Sequence, residues 1–225
     1  MKQRPILPHG IWHRKSPQTK DPKNNVLAGA KNKKGGQVMR IVGGKWRGQP
    51  LARPKNNLTR PTSDRTREAL FSILTALTDF SFSTMRVLDL FAGTGALGFE
   101  ALSRGAAYCL FVDDNAAARG LIRDNMEQLQ ANGVSKIFRR DATRLGACPA
   151  NIDAFDLVFV DPPYGKGLAE KALLSALTGG WISSNALIIV EEDKRSKFAP
   201  PTGFYETDRR QYGDTEIIFL HTHQS

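Results

Sequence analysis

The sequence predicts an α/β protein built on a parallel, doubly wound sheet. Three observations carry that prediction. From Arg86 onward, short apolar runs rich in β-branched and aromatic residues alternate with helical stretches. The first of these runs ends in a glycine-rich turn, "LDLFAGTGALGFEAL". Several of the runs end on an aspartate, which places acidic groups together on one rim of a parallel sheet.

The predicted strands are "RVLDLFA", "YCLFVD", "KIFRRD", "DLVFVD" and "ALIIVEE". Helices are expected near residues 96–104, 115–131, 142–150 and 167–178. The end of the chain, "GFYETDRRQYGDTEIIFLHT", reads as a strand, a turn and a final strand. Ahead of the sheet, Leu70, Ile73, Leu74 and Leu77 recur at the spacing of an amphipathic helix. Arg60, Pro61 and Thr62 lead into it, and Asp64 suits its positive end. "MRIVGGKWRGQPLARP" holds two short strand-like runs around "GGK" and reads as a hairpin. Residues 1–38 lack apolar periodicity and are rich in Lys, Pro, Asn and Gly, which predicts a disordered basic extension. The expected organisation is therefore 1–38 extension, 39–84 hairpin and helix, and 85–225 catalytic domain.

The net charge of +10 is uneven. Residues 1–38 hold nine Lys and Arg against one Asp, and residues 39–67 hold eight against one. The remainder holds 15 basic and 20 acidic residues. A basic front on an acidic body suggests a polyanionic partner, although a solvated basic tail fits the composition equally. No long apolar run predicts a membrane span, and Cys109 and Cys148 match no metal spacing. A cytoplasmic protein with free thiols and no metal is expected. The four histidines lie near the two ends of the chain, which disfavours histidine chemistry.

Gly93, Gly95 and Gly98 form a literal G-x-G-x-x-G between a strand and a helix, with Asp113 twenty residues after Gly93. That pattern fits any nucleoside needing close backbone approach and an acidic ribose ligand. Asp89, at the strand exit, separates the candidates. A pyrophosphate would be repelled by it, whereas the ammonium and sulfonium of S-adenosylmethionine would be attracted. The plainer alternative is that Asp89 caps the turn backbone. Asp141 is a candidate for the adenine amino group, or simply an aspartate starting a helix. Phe91 and Ala142 complete the candidate cofactor-binding set.

"VDPPYG" follows the fourth strand. Its prolines stiffen the backbone and remove competing donors. Asp161 and the Pro162 carbonyl are then candidate acceptors for the N–H groups of an amino substrate, which would raise electron density on its nitrogen. Tyr164 is a candidate platform for an extruded base. The catalytic candidates are Asp161, Pro162, Pro163 and Tyr164; the plainer alternative is a rigid turn.

"VLDLFAGTGALGFEALSRGA" and "FVDPPYGKGL" resemble the class I S-adenosylmethionine-dependent methyltransferases that modify exocyclic amino groups. Together with "MRIVGGKWRGQPL" and "TRPTSDRTREALFSIL" they resemble the RsmD family, from Met39 to the final strand. The resemblance implies a Rossmann-like, seven-stranded, mostly parallel sheet with an N-terminal β-hairpin and helix. It implies S-adenosylmethionine as donor and N2 of guanine 966 in 16S ribosomal RNA as acceptor, within a small-subunit particle. A monomer is expected. Asp113 stands where the family usually has Glu, and Asn115 where Asp is common. Arg40, Lys45, Arg47, Arg60, Arg65 and Arg67, with Arg53, become candidate RNA phosphate contacts. Trp46 is a candidate for base stacking or for burial in the hairpin. The rival activities are methylation of DNA adenine or protein glutamine, or a non-catalytic RNA-binding role.

Overall fold

The computed structural model describes residues 39–54, 64–77 and 80–223. The basic extension of residues 1–38 and the helix lead-in with Arg60 lie outside the described residues.

The sheet has seven strands in the order β3-β2-β1-β4-β5-β7-β6. These are β1 (Arg86–Leu90), β2 (Tyr108–Val112), β3 (Ser135–Phe138), β4 (Phe155–Val160), β5 (Ile182–Asp193), β6 (Phe204–Tyr212) and β7 (Thr215–Thr222). The first five run parallel, and β7 pairs antiparallel with both β5 and β6. The helices are α1 (Asp64–Ala76), α2 (Ala96–Ser103), α3 (Ala116–Gln128) and α4 (Leu168–Thr178). β1 lies between β2 and β4, so the chain reverses its order of travel across the sheet there. A crevice opens at such a switch point, beyond the carboxyl ends of the strands.

Strand alternation divides the core between the two faces. Leu88, Leu90, Val158, Val160, Ile188 and Val190 pack with Ala169, Leu173 and Trp181. Val87, Phe111, Phe159, Ile189 and Phe219 pack with Phe99, Ile122 and the N-terminal segment. Met39, Ile41, Leu51, Leu70, Phe71 and Leu74 belong to this second cluster, so residues 39–77 share a core with the sheet. Phe71 of α1 lies 5.8 Å from Phe159, ring centroid to centroid.

The hairpin expected in residues 39–54 is present but short: Arg40 bridges Pro50 antiparallel around the turn at 43–48, with Ile41 N donating to the Gln49 carbonyl and Leu51 N to the Met39 carbonyl. Other backbone groups of the segment are taken from behind. The amides of Val42, Lys45, Trp46 and Ala52 donate to Glu100, Ser103 and Asn125 of the domain behind them. The segment is a short hairpin strapped to α2 and α3. One element is corrected. The helix expected at 142–150 shrinks to one 3₁₀ turn, Ala142–Arg144. Gly146 takes a positive φ of 68° and Pro149 follows, so a helix cannot continue.

Arg67 is the second correction. It was a candidate for phosphate contact, yet it is fully buried on the face of α1 that carries Leu70, Phe71 and Leu74. Its Nη2 donates to Asp64 Oδ1 at 2.7 Å and to the Arg40 carbonyl at 2.5 Å. Its Nε lies 3.9 Å from Glu100 Oε2, and Arg104 Nε donates to Glu100 Oε1 at 2.9 Å. Arg67 therefore holds the strap, α1 and α2 together and cannot reach RNA. Arg67→Met removes buried hydrogen bonds to Asp64 and the Arg40 carbonyl while Glu100 keeps Arg104, so it should cost about 1–3 kcal/mol of stability. Arg65→Ala, exposed on the same helix, should change stability by no more than about 0.5 kcal/mol. Guanidinium unfolding of both variants checks this.

Candidate active site

β1 ends at Leu90, and the chain then turns sharply. Phe91 is held at a φ of 58°, unusual for a bulky residue and found where backbone strain serves a site. Gly93 and Gly95 follow at φ values of 59° and 76°. A side chain at Gly93 would meet only the Phe91 carbonyl, 3.8 Å away, so its outer side is open to a ligand. Gly98 has the opposite role. A Cβ there would press on Cys109, Phe111 and Asp89, so glycine lets α2 pack against the sheet.

Asp89 sits in the sheet between Phe111 of β2 and Phe159 of β4. Its Oδ2 accepts from the Gly98 N–H at 2.9 Å, so it does cap the turn. That bond does not offset its burial, which pushes its carboxyl from 3.8 up to about 8; nearby Asp113 adds to the rise. A buried carboxylate in this state is suited to a cationic partner.

Asp113, just past β2, accepts from Gly93 N at 2.9 Å through Oδ2 and from Asn115 N at 2.8 Å through Oδ1. Burial raises its pKa above the usual carboxylate value despite those bonds. Each oxygen keeps a second acceptor position for a hydroxyl. Asn115 caps α3, accepting from Ala117 N and Ala118 N. Asp141 caps the 3₁₀ turn beside buried Ala142, accepting from Thr143 N at 2.8 Å and Thr143 Oγ1 at 2.7 Å. The Thr143 hydroxyl bond is the chief reason its pKa is lowered. Both plain and ligand-binding readings of Asp89 and Asp141 are thus compatible with one geometry.

Asp161 leaves β4 directly beside β1, its N–H 3.5 Å from the Leu90 carbonyl. Pro162 is buried, and Pro163 is exposed. The Tyr164 hydroxyl donates to Glu191 Oε1 at 2.9 Å. Burial, then Glu191 and Asp161, raise the Tyr164 pKa, so the hydroxyl stays protonated. Glu191 is buried at the end of β5 and fixes the ring's orientation; sequence reasoning passed over it as strand. The signal was there, an apolar strand ending in two glutamates on the same rim.

Asp89, Asp113 and the open side of Gly93 offer the acceptors and the close backbone approach that a cationic nucleoside such as S-adenosylmethionine requires. Among the described residues no cluster suits a metal ion and no helix is long and apolar enough to cross a membrane. Both thiols are free. Arg40, Lys45, Arg47, Arg53 and Arg65 are exposed. Trp46 packs against the core, with Lys45 Nζ 4.2 Å from its ring centre.

Residues 39–221 match the family model described as Conserved hypothetical protein 95. Ribosomal RNA small subunit methyltransferase D of Escherichia coli K12 is 40% identical over 166 residues, covering 72% of this chain and 78% of its own. The chain belongs to the RsmD family of methyltransferases. The Haemophilus influenzae protein of the same name is 35% identical over 164 residues, 72% of this chain and 83% of its own. A solved Escherichia coli structure described as the methyltransferase yhhF superposes with a TM-score of 0.71 at 30% identity. It covers 84% of this chain and all of its own. The seven-stranded class I methyltransferase fold is thus common to this chain and its RsmD relatives.

The raised Asp89 pKa has a consequence for the unliganded protein. Between its unfolded value near 3.8 and its folded value near 8, the native state binds one proton more than the unfolded state. Stability should therefore fall as pH rises through that window, by at most about 1.4 kcal/mol per unit. Asp89→Asn should lack this part of the slope, so the melting-temperature difference between variant and wild type should widen in the variant's favour from pH 5 toward about 8.

Proposed function

We propose that this RsmD-family methyltransferase methylates the N2 amino group of a guanine in 16S ribosomal RNA, with S-adenosylmethionine as donor. On the family resemblance the nucleotide is guanine 966, presented in a small-subunit particle in the cytoplasm. One observation carries the reading: the Asp161-Pro162-Pro163-Tyr164 turn leaves β4 beside β1, whose glycine turn is flanked by Asp89 and Asp113. The substrate class is supported by the relatives from Escherichia coli and Haemophilus influenzae, both named ribosomal RNA small subunit methyltransferase D.

Asp89 would hold the cationic end of the cofactor, Asp113 its ribose hydroxyls and Asp141 its adenine amino group, with the Gly93–Gly95 backbone beneath. When bound, S-adenosylmethionine supplies a methyl group on a positively charged sulfur. The protein's contribution is placement and charge. Asp161 and the Pro162 carbonyl accept the two N–H bonds of the base amino group, which localises its lone pair and aims it. Tyr164, tethered through its hydroxyl to Glu191, offers its ring face to the extruded guanine. Once methylated, the nitrogen is cationic and its proton is readily lost to Asp161 or water. A strong base is not needed. Arg40, Lys45, Arg47, Arg53 and Arg65 hold phosphates without reading sequence. Arg60 belongs with this group by sequence only.

The test uses labelled S-adenosylmethionine and small subunits from cells lacking the endogenous activity, with the product nucleoside identified by mass spectrometry. N2-methylguanosine at a single 16S site is expected; label in another nucleoside would overturn the target. Asp161→Ala should reduce transfer by at least about 100-fold, the scale of losing one aligned catalytic hydrogen-bonding group. It should still bind S-adenosylhomocysteine as the wild type does. Arg65→Ala should raise KM for the subunit and flatten its salt dependence, with cofactor affinity unchanged.

A further inference from the structure

We infer that Asn125 is a positioning residue that ties the glycine turn to the basic strap, so that the cofactor-binding and RNA-facing segments move as one unit. This rests on the methyltransferase reading above. Asn125 is fully buried in the last turns of α3, close to the apolar Ile122 and Met126. A buried asparagine inside a helix is a poor choice for helix propensity and costs desolvation unless its amide is used.

Here both ends of the amide are used, and by segments far apart in sequence. Oδ1 accepts from Ala52 N of the strap at 2.7 Å. Nδ2 donates to the Thr94 carbonyl at 3.0 Å, with a longer contact to the Ala52 carbonyl at 3.5 Å. Thr94 lies between Gly93 and Gly95, both at positive φ, and through its carbonyl α3 is hydrogen-bonded to the turn. A second link runs in parallel: Thr94 Oγ1 donates to Met39 Sδ at 3.5 Å, at the other end of the strap. The strap between these two points carries exposed Arg40, Lys45 and Arg47.

The turn that would hold the cofactor and the strap that would meet RNA are therefore fastened to the same side chain. Coupling of this kind is reciprocal. Ordering Gly93–Gly95 around a ligand steadies the strap, and seating the strap on RNA steadies the turn.

Gln128 provides an internal comparison. Its Nε2 donates to the Pro50 carbonyl at 2.6 Å, so it holds the strap from the same helix without reaching the turn. Asn125→Asp keeps the acceptor for Ala52 N but sets an oxygen against the Thr94 carbonyl. The experiment titrates S-adenosylhomocysteine into full-length wild type, Asn125→Asp and Gln128→Ala by calorimetry, and measures steady-state rates on small subunits.

Asn125→Asp should weaken S-adenosylhomocysteine binding about tenfold, the scale of one lost hydrogen bond facing a buried carbonyl. KM for S-adenosylmethionine should rise in step while kcat stays near wild type; the melting temperature should fall, because a buried carboxyl is set against the Thr94 carbonyl. Gln128→Ala should bind S-adenosylhomocysteine as the wild type does. Unchanged binding in Asn125→Asp, or an equal loss in Gln128→Ala, would overturn the inference. Wild type that fails to bind S-adenosylhomocysteine at all would overturn the cofactor reading and this inference with it. Amide exchange on wild type gives an answer that needs no variant to fold. Added S-adenosylhomocysteine should slow exchange across residues 39–54 as well as 92–98, and protection confined to the turn would refute the coupling.

Discussion

A carboxylate set in the apolar row Phe111–Asp89–Phe159 is the constraint around which the rest of the molecule is arranged. Such a group is costly to bury unless it is hydrogen-bonded and faces a cation. The fold meets the first condition by turning the chain back through Gly93 and Gly95 until the Gly98 amide points at Asp89. It can do so only because Gly98 has no side chain to collide with Cys109 and Phe111. Among the described residues no cation meets the second condition, and burial raises the carboxyl pKa to about 8. A cation arriving at the turn recovers stabilisation that the unliganded fold forgoes. The glycine turn and the close packing of α2 both follow from that one side chain, and on the proposed reading so does the choice of a cationic cofactor.

Glu100 shows what a buried carboxylate looks like when it is structural. It lies on α2, two residues beyond Gly98, and is equally buried. Its oxygens accept from Val42 N and Arg104 Nε, and Arg67 stands alongside. Its partners come from the strap, α1 and α2, so its charge is satisfied by fastening three segments together. Asp89 accepts from the Gly98 backbone, and among the described residues it pairs with no cationic side chain. Two acids within one turn-and-helix unit thus have different roles. The difference is whether the chain supplies the countercharge or leaves it to a ligand.

The parts that were legible in the sequence are those set by local pattern. Strand runs, the glycine turn and the Asp-Pro-Pro-Tyr turn each need particular residue types at fixed spacing, and the structure puts them at neighbouring strand ends. The misreadings came from counting residues without asking which way they face. Arg67 adds to a basic tally, but it stands three and four residues before Leu70 and Phe71, on the apolar side of α1. The hairpin was legible from residues that suit strands, but not its attachment, since its Val42, Trp46 and Ala52 amides are taken by Glu100, Ser103 and Asn125. Those partners lie 57 to 73 positions away in the chain, beyond any local pattern. Glu191 and Asn125 matter through contacts distant in the chain, Glu191 with Tyr164 and Asn125 with Ala52 and Thr94.

On the RNA methyltransferase reading, one crevice has to admit a cation and part of a polyanion. A uniformly basic surface would repel the cofactor, and a uniformly acidic one would repel the RNA. The chain separates the two fields instead. Asp89, Asp113, Asp141 and Asp161 lie at the carboxyl ends of β1 to β4, while Arg40, Lys45, Arg47 and Arg65 are exposed on the strap and α1. Phosphates are then drawn to the strap and turned away by the rim. An extruded base carries no charge and crosses that boundary without penalty. Selection for a flipped nucleotide over a backbone segment can thus arise from the placement of charge alone, before any contact reads the base.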